Sequence, residues 1–173
     1  GTQNTGLGTN SLHSNSTGNY NVGLGKRALY TNTTGSQNVA LGTNTLDANT
    51  TADNNTAVGY SALGANTTGQ YNTAVGTQAL INNTTASNNT ALGAFALLVN
   101  TTGARNVAVG TNALDANTTA SQNTAVGYEA MTSNVDGYSS TAVGHGALDT
   151  MTTGYNNNAF GVDALRSLTT GVQ

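Results

Sequence analysis

A strictly periodic glycine constrains this chain more than any other feature. The glycine that closes an Asn-Thr-Ala-Val-Gly motif recurs at one fixed interval from Gly8 to Gly161, so ten copies of one unit follow each other without insertion or deletion. The unit is Asn-Thr-Ala-Val-Gly-x-x-Ala-Leu-x-x-Asn-Thr-Thr-Gly-x-x, and we number its positions slot 1 to slot 17. The copies occupy residues 4–173 as a single repeat domain, and residues 1–3 precede them. Repeats of this kind bury a core only by stacking on their neighbours.

The first half of the unit predicts a β-strand. Slots 2 and 4 hold β-branched residues or Leu in nearly every copy, and residues two apart face the same side of a strand. Slot 3 between them is always Gly or Ala, so the opposite face is made of small residues. A Leu or Met follows in slot 9, which requires a bend if slots 4 and 9 are to enter one core. The sequence thus predicts a core that includes Val58, Leu63, Val75, Leu80, Leu92, Leu97, Val109 and Leu114.

Two slots hold Asn in nearly every copy. In a parallel coil such residues would stack, with each side-chain amide bonding the amide of the next turn. We expect ladders that include Asn55, Asn66, Asn72, Asn83, Asn89 and Asn100. Slot 15 is Gly in some copies and Ala in others, so this corner does not demand a left-handed backbone.

These patterns predict an all-β fold, a parallel β-solenoid or β-roll of ten 17-residue coils. A helix would be interrupted by Gly and Asn-Thr-Thr in every unit, and β-branched residues fill its core positions. Since adjacent strands lie about 4.8 Å apart, ten coils would form a rod roughly 45 Å long.

Composition excludes several functions. Charged residues make up 6 % of the chain, against about 25 % in an ordinary domain. The net charge of −3 provides no basic patch, so no nucleic-acid partner is expected. No apolar run is long enough for membrane insertion. His13 and His145 are eight repeats apart, and the nonapeptide calcium-roll motif is missing. We therefore expect no enzyme, no metal site and no cofactor.

Two sets of residues are candidate surface features. Asn-x-Ser/Thr sequons recur with the period, and they are either a by-product of the Asn ladder or glycosylation sites of an extracellular fibre. Tyrosines in variable slots are either isolated surface residues or platforms for stacking on sugars. The candidate glycosylation sites are Asn32, Asn49, Asn66, Asn83, Asn100 and Asn117, and the candidate binding tyrosines are Tyr60, Tyr71, Tyr128, Tyr138 and Tyr155.

A coil this thin buries little apolar surface compared with the backbone entropy lost on folding. Packing against another chain would help, so we expect a homotrimer around a common axis; a lone solenoid is the alternative.

The stretch from Asn55 to Gly69 resembles the repeats of phage-type tail-fibre proteins. It is similar, more distantly, to the Asn-Ser-Val-Ala-Ile-Gly repeats in the heads of trimeric autotransporter adhesins. Those heads are left-handed parallel β-rolls assembled as trimers, and the resemblance implies the same architecture here. The period of this chain departs from the shorter coil of the adhesins.

The predicted function is structural: a rigid shaft or adhesive segment of an extracellular, cell-surface or virion fibre that carries surfaces for a receptor or a cell-surface glycan. The alternatives are a self-assembling extracellular filament and a solenoid that binds ice or another ligand. Thr in slot 2 shares a face with slot 4, which we expect to be buried. The Thr pair in slots 13 and 14 is therefore the better ice-binding candidate.

Overall fold

The computed structural model describes residues 1–171, so the last two residues of the predicted repeat domain lie outside the described residues. The described chain is all-β, with one three-residue strand in each repeat. The strands are β1 (Thr5–Leu7), β2 (Val22–Leu24), β3 (Val39–Leu41), β4 (Thr56–Val58), β5 (Thr73–Val75), β6 (Thr90–Leu92), β7 (Val107–Val109), β8 (Thr124–Val126), β9 (Thr141–Val143) and β10 (Asn158–Phe160).

Successive strands pair in parallel and in register, in the order β1 to β10. Thr73 pairs with Thr90 and Ala74 with Ala91, so each residue lies beside the residue one repeat later. The predicted parallel β-solenoid with one coil per repeat is confirmed.

The slot 5 glycine makes the corner after each strand. These ten glycines have φ between 124° and 141°, a region that L side chains rarely adopt. A Cβ added to Gly76 would overlap the carbonyl oxygen of Gly93 in the next coil. Glycine is therefore required both by the backbone conformation and by the close approach of the coils.

Three other slots place non-glycine residues in the left-handed region. Examples from slots 7, 9 and 17 are Gln78 with φ 58°, Leu80 with φ 53° and Tyr71 with φ 58°. Each such residue costs roughly 1–2 kcal/mol, and the hydrogen bonds between coils hold it in place. The repeat pattern did not predict these bends, although Asn is frequent in slots 7 and 17 and tolerates this conformation.

The core is built from Ala in slots 3 and 8 and Leu in slot 9. The side chains predicted for slot 9 lie in this core and are fully buried: Leu63, Leu80, Leu97 and Leu114.

The prediction for slot 4 was wrong, because its side chains point outward. Val58 and Val109 are only partly buried, and Val75 and Leu92 are each 37 % exposed. Ala74, between the outward-facing residues of β5, is fully buried. The small face of the strand is the inner one, because Leu side chains and Asn amides already fill the narrow interior and leave room only for a methyl group.

Candidate functional site: the outer surface and the ladders behind it

An uncovered sheet face runs along the rod. We call it the strand face, and it consists of slots 2 and 4 of β1 to β10. It carries no charged residue, since slot 2 is Thr, Val or Asn and slot 4 is Leu, Val or Phe. None of these side chains is fully buried. At about 4.8 Å per strand the face is roughly 43 Å long.

The first Asn ladder lies in slot 12, three residues after the core Leu of slot 9. The side-chain amide of Asn83 donates to Oδ1 of Asn66 at 2.9 Å and to the carbonyl oxygen of Ala86 at 3.0 Å. The same pair of bonds recurs along the rod, with full burial of the side chains. The predicted amide-to-amide ladder is confirmed for this slot.

The second Asn ladder lies in slot 1, just before each strand, and its bonding differs from the prediction. The backbone N–H of Asn72 donates to Oδ1 of Asn55 at 2.9 Å, and its Nδ2 donates to the carbonyl oxygen of Ala86 at 2.9 Å. The side chain therefore joins two coils and also closes its own coil. Buried polar groups need such partners, so this ladder fixes both the spacing and the shape of the coil.

The slot 12 ladder ends within the rod. Asn134 is buried and its Oδ1 has no hydrogen-bond partner among the described residues. The next position in the slot is Met151, which is also buried and offers no N–H from its side chain. The ladder of side-chain hydrogen bonds in slot 12 therefore does not continue into the coils of β9 and β10, as it does through the middle of the rod.

The candidate glycosylation sites lie in this buried ladder. All six side chains have no exposed surface, and their amide nitrogens donate to neighbouring coils and to their own turn: Asn32, Asn49, Asn66, Asn83, Asn100 and Asn117. The glycosylation hypothesis is wrong for the folded chain, because a glycan cannot be attached to an amide nitrogen inside the core. The sequons follow from the ladder and the Thr beside it.

The candidate tyrosines lie on the surface but do not form one patch. Tyr60 and Tyr71 are 53 % and 58 % exposed. Tyr128 stacks on His145 with ring centroids 5.5 Å apart, and Tyr138 stacks on Tyr155 at 5.1 Å. Each stack joins the same slot in adjacent repeats and covers one face of each ring, which leaves less ring surface for a sugar.

The two threonines of the pair proposed for ice binding have different environments in the fold. In slot 13 the hydroxyl of Thr67 donates to the carbonyl oxygen of Thr84 at 3.0 Å, and the same bond recurs in neighbouring coils. In slot 14 the side chains are exposed, as at Thr68 and Thr85. Only one file of threonine hydroxyls in this pair is therefore available to an external ligand.

Within residues 1–171, no group of three or more His, Asp or Glu side chains is arranged to hold a metal ion. In the same range there is no helix long and apolar enough to cross a bilayer. Comparison with family models, curated proteins and solved structures gave no match.

Proposed function

We propose that the chain is a structural shaft segment of an extracellular or virion fibre, in which copies of the chain pack through their strand faces, three around a common axis. The observation that carries this proposal is the strand face itself: an uncharged, regular surface of Val, Leu and Thr from β1 to β9, with Asn and Phe in β10.

The interior supports a stiff rod. Strand pairing, two Asn ladders and the Leu core repeat in every coil through the middle of the chain. Repeat proteins of this type derive stability from contacts between neighbouring units, so length can be added without changing the cross-section. That property suits a spacer that holds a binding surface away from a particle or a cell.

Solution mass by light scattering tests the assembly. A homotrimer is expected at three times 17.3 kDa, about 52 kDa. In the variant Val75→Lys, a charge enters the strand face and the mass should fall towards 17.3 kDa, since an unpaired charge is costly to bury at an interface. The matched control is Thr77→Lys in slot 6, where Lys26 already occurs and the side chain is exposed.

The assembly would be refuted by a wild-type mass of 17.3 kDa at all accessible concentrations. It would also be refuted by a Thr77→Lys variant that dissociates as readily as Val75→Lys.

Ice binding is the second candidate, and one observation favours it. The strand face was expected to be buried, but it points outward and presents Thr or Val beside Val or Leu at a constant spacing. The Thr and Val side chains of this face are β-branched and restricted at χ1, so most of the array is ordered before it meets a ligand. The same face would then bind a crystalline water surface instead of a second copy.

Thermal hysteresis decides between these candidates. An ice-binding monomer would show a gap between melting and freezing that Thr73→Tyr abolishes, because a bulky ring interrupts the flat face. Thr68→Tyr in slot 14 is the control and should keep the gap. No hysteresis in the wild type would eliminate this candidate.

A further inference from the structure

A depression in the surface interrupts the repetition at one coil. It has a volume of about 350 Å³, and its lining includes Asn44, Asp47, Ser61, Gly64, Ile81 and Asn82. It exists because Gly64 is the only glycine in slot 10, where the adjacent repeats carry Asp47 and Ile81. Ala65 in slot 11 also lines the depression and adds little bulk. A strictly repeating surface has no reason to contain a gap at one coil, so the groups around it are candidates for a binding site.

The lining combines a few polar groups with one apolar wall. Asn44 and Ser61 contribute an amide and a hydroxyl. Asn82 donates from Nδ2 to the carbonyl oxygen of Leu98 at 2.9 Å, which fixes the side chain and keeps Oδ1 as an acceptor. Ile81 provides an aliphatic surface on one side. This mixture is typical of small-ligand sites, and the volume is at the lower end of their range of about 300–1,000 Å³.

Asp47 is held in place by a bidentate ion pair. Nε of Arg27 lies 3.2 Å from Oδ1 of Asp47, and Nη2 lies 2.9 Å from Oδ2. Arg27 also lies 4.3 Å from the centroid of the Tyr30 ring. The carboxylate is thus oriented and its charge is compensated, while each oxygen keeps a lone pair for a further donor.

These groups define the chemistry of the ligand. Because the ion pair has no net charge, the site offers no counter-charge to an anion or a cation. Carboxylate, amide and hydroxyl groups bind neighbouring hydroxyls well, and the Ile81 wall packs on C–H groups. We propose that this depression binds one neutral sugar unit of a cell-surface glycan.

The position of the site is compatible with an assembled fibre. Its residues belong to slots 7, 10 and 11, beyond the glycine corner that ends the strand. The strand face is made of slots 2 and 4, so packing through that face leaves the depression open. This inference rests on the proposed fibre function, since it names a binding surface that such a fibre would display.

The test is an NMR titration of the isotope-labelled chain with three probes: the methyl glycosides of galactose, mannose and N-acetylglucosamine. At least one should shift the backbone amides of Asn44, Ser61, Gly64 and Asn82 in a saturable way. Gly64→Leu should weaken that binding at least tenfold, because the new side chain fills the depression. The substitution suits the fold, since slot 10 already holds Leu98 in a later repeat.

A matched pair of variants separates binding from folding. Asn44→Ala removes a lining amide, and Asn112→Ala removes the same side chain from the same slot four repeats later. Both residues have a left-handed backbone conformation, with φ of 56° and 58°. The two substitutions should therefore change the stability of the fold by the same amount. Only Asn44→Ala should weaken sugar binding.

The site is disproved if none of the three glycosides moves these amides, or if the shifts persist in Gly64→Leu. Either result leaves the fibre proposal standing. A light-scattering mass of 17.3 kDa, in contrast, would refute the fibre without changing the outcome of the sugar titration.

Discussion

At the scale of single residues, the slot 5 glycine has the largest predicted effect. Gly76→Ala drives a methyl group into a carbonyl oxygen of the next coil, on a residue with φ 138°. We expect a loss of about 3–5 kcal/mol in the free energy of unfolding, measured by urea denaturation. Gly64→Ala is the control, since its nearest contact would be the Ser61 oxygen at 3.2 Å. Equal losses would refute the role assigned to the corner.

A second prediction concerns Asp115, whose pKa is raised by burial, against the opposing effect of backbone hydrogen bonds. A carboxyl with a raised folded pKa stabilises the fold below its unfolded pKa of about 3.9, and loses that contribution as pH rises through the folded value. Asp115→Asn should therefore raise the melting temperature at pH 7, and the gain should disappear near pH 3.

The control for this pH dependence is Asp47→Asn in the same slot. It removes an ion pair with Arg27, so it should not raise the melting temperature at pH 7. A gain for Asp115→Asn that is independent of pH would show that burial of the charge is not its cause.

At the scale of the repeated element, the Asn ladder is the feature to test. Asn83→Ala leaves Oδ1 of Asn66, the amide of Asn100 and the carbonyl of Ala86 each short of one bond. The Asn100 amide still donates to Gly103 and the Ala86 carbonyl still accepts from Asn72, so only Oδ1 of Asn66 is left without a partner. An unsatisfied buried group costs about 1–3 kcal/mol, and we expect a loss in that range by chemical denaturation. The neighbouring Asn82→Ala, at an exposed side chain, should cost less than about 1 kcal/mol. Similar costs at both positions would contradict the ladder.

The constant period of the repeat was sufficient to predict the strands, their parallel register, the Leu core and the presence of Asn ladders. It could not predict which strand face is inner. Alternation defines two faces, and we assigned the bulky one, with Val75, to the core. The interior of the coil is too narrow for the bulky face, so the small face is the inner one. The width of the interior depends on the left-handed bends at residues such as Gln78 and Leu80. The depression at Gly64 was missed for a related reason, since a missing side chain becomes a site only when its neighbours surround the gap.

A longer period of two repeats is also present. From Gly35 to Gly137, slot 15 alternates between Gly and Ala. Where slot 15 is Ala, slot 16 carries Asp or Ser, whose side chain accepts the backbone N–H of slot 16 in the preceding repeat. The bond lengths are 2.7 Å from Ser36 to Asp53, 3.0 Å from Gln70 to Ser87 and 3.0 Å from Ala104 to Ser121. Over this part of the rod, pairs of coils are therefore the unit that preserves these slot 16 hydrogen bonds.

At the scale of the whole molecule, the rod behaves as a one-dimensional stack, in which each coil contacts mainly its two neighbours. Such a stack should tolerate a change in length but not a change in phase. The pair period makes this expectation specific. Removal of one coil, residues 72–88, would bring Gln70 next to Ala104, whose side chain cannot accept the N–H of Gln70.

Deletion of residues 72–105 removes two full repeats and joins Tyr71 to Asn106 in correct phase. It also brings the N–H of Gln70 to Ser121, which replaces Ser87 as acceptor. We expect a folded rod about 10 Å shorter by small-angle X-ray scattering, with a β-sheet circular dichroism spectrum. Deletion of residues 72–104 leaves one extra residue in a coil, so both Asn ladders and the slot 5 glycine lose their alignment across the junction. That variant should unfold at a markedly lower temperature, and equal stability of the two deletions would show that register does not hold the stack together.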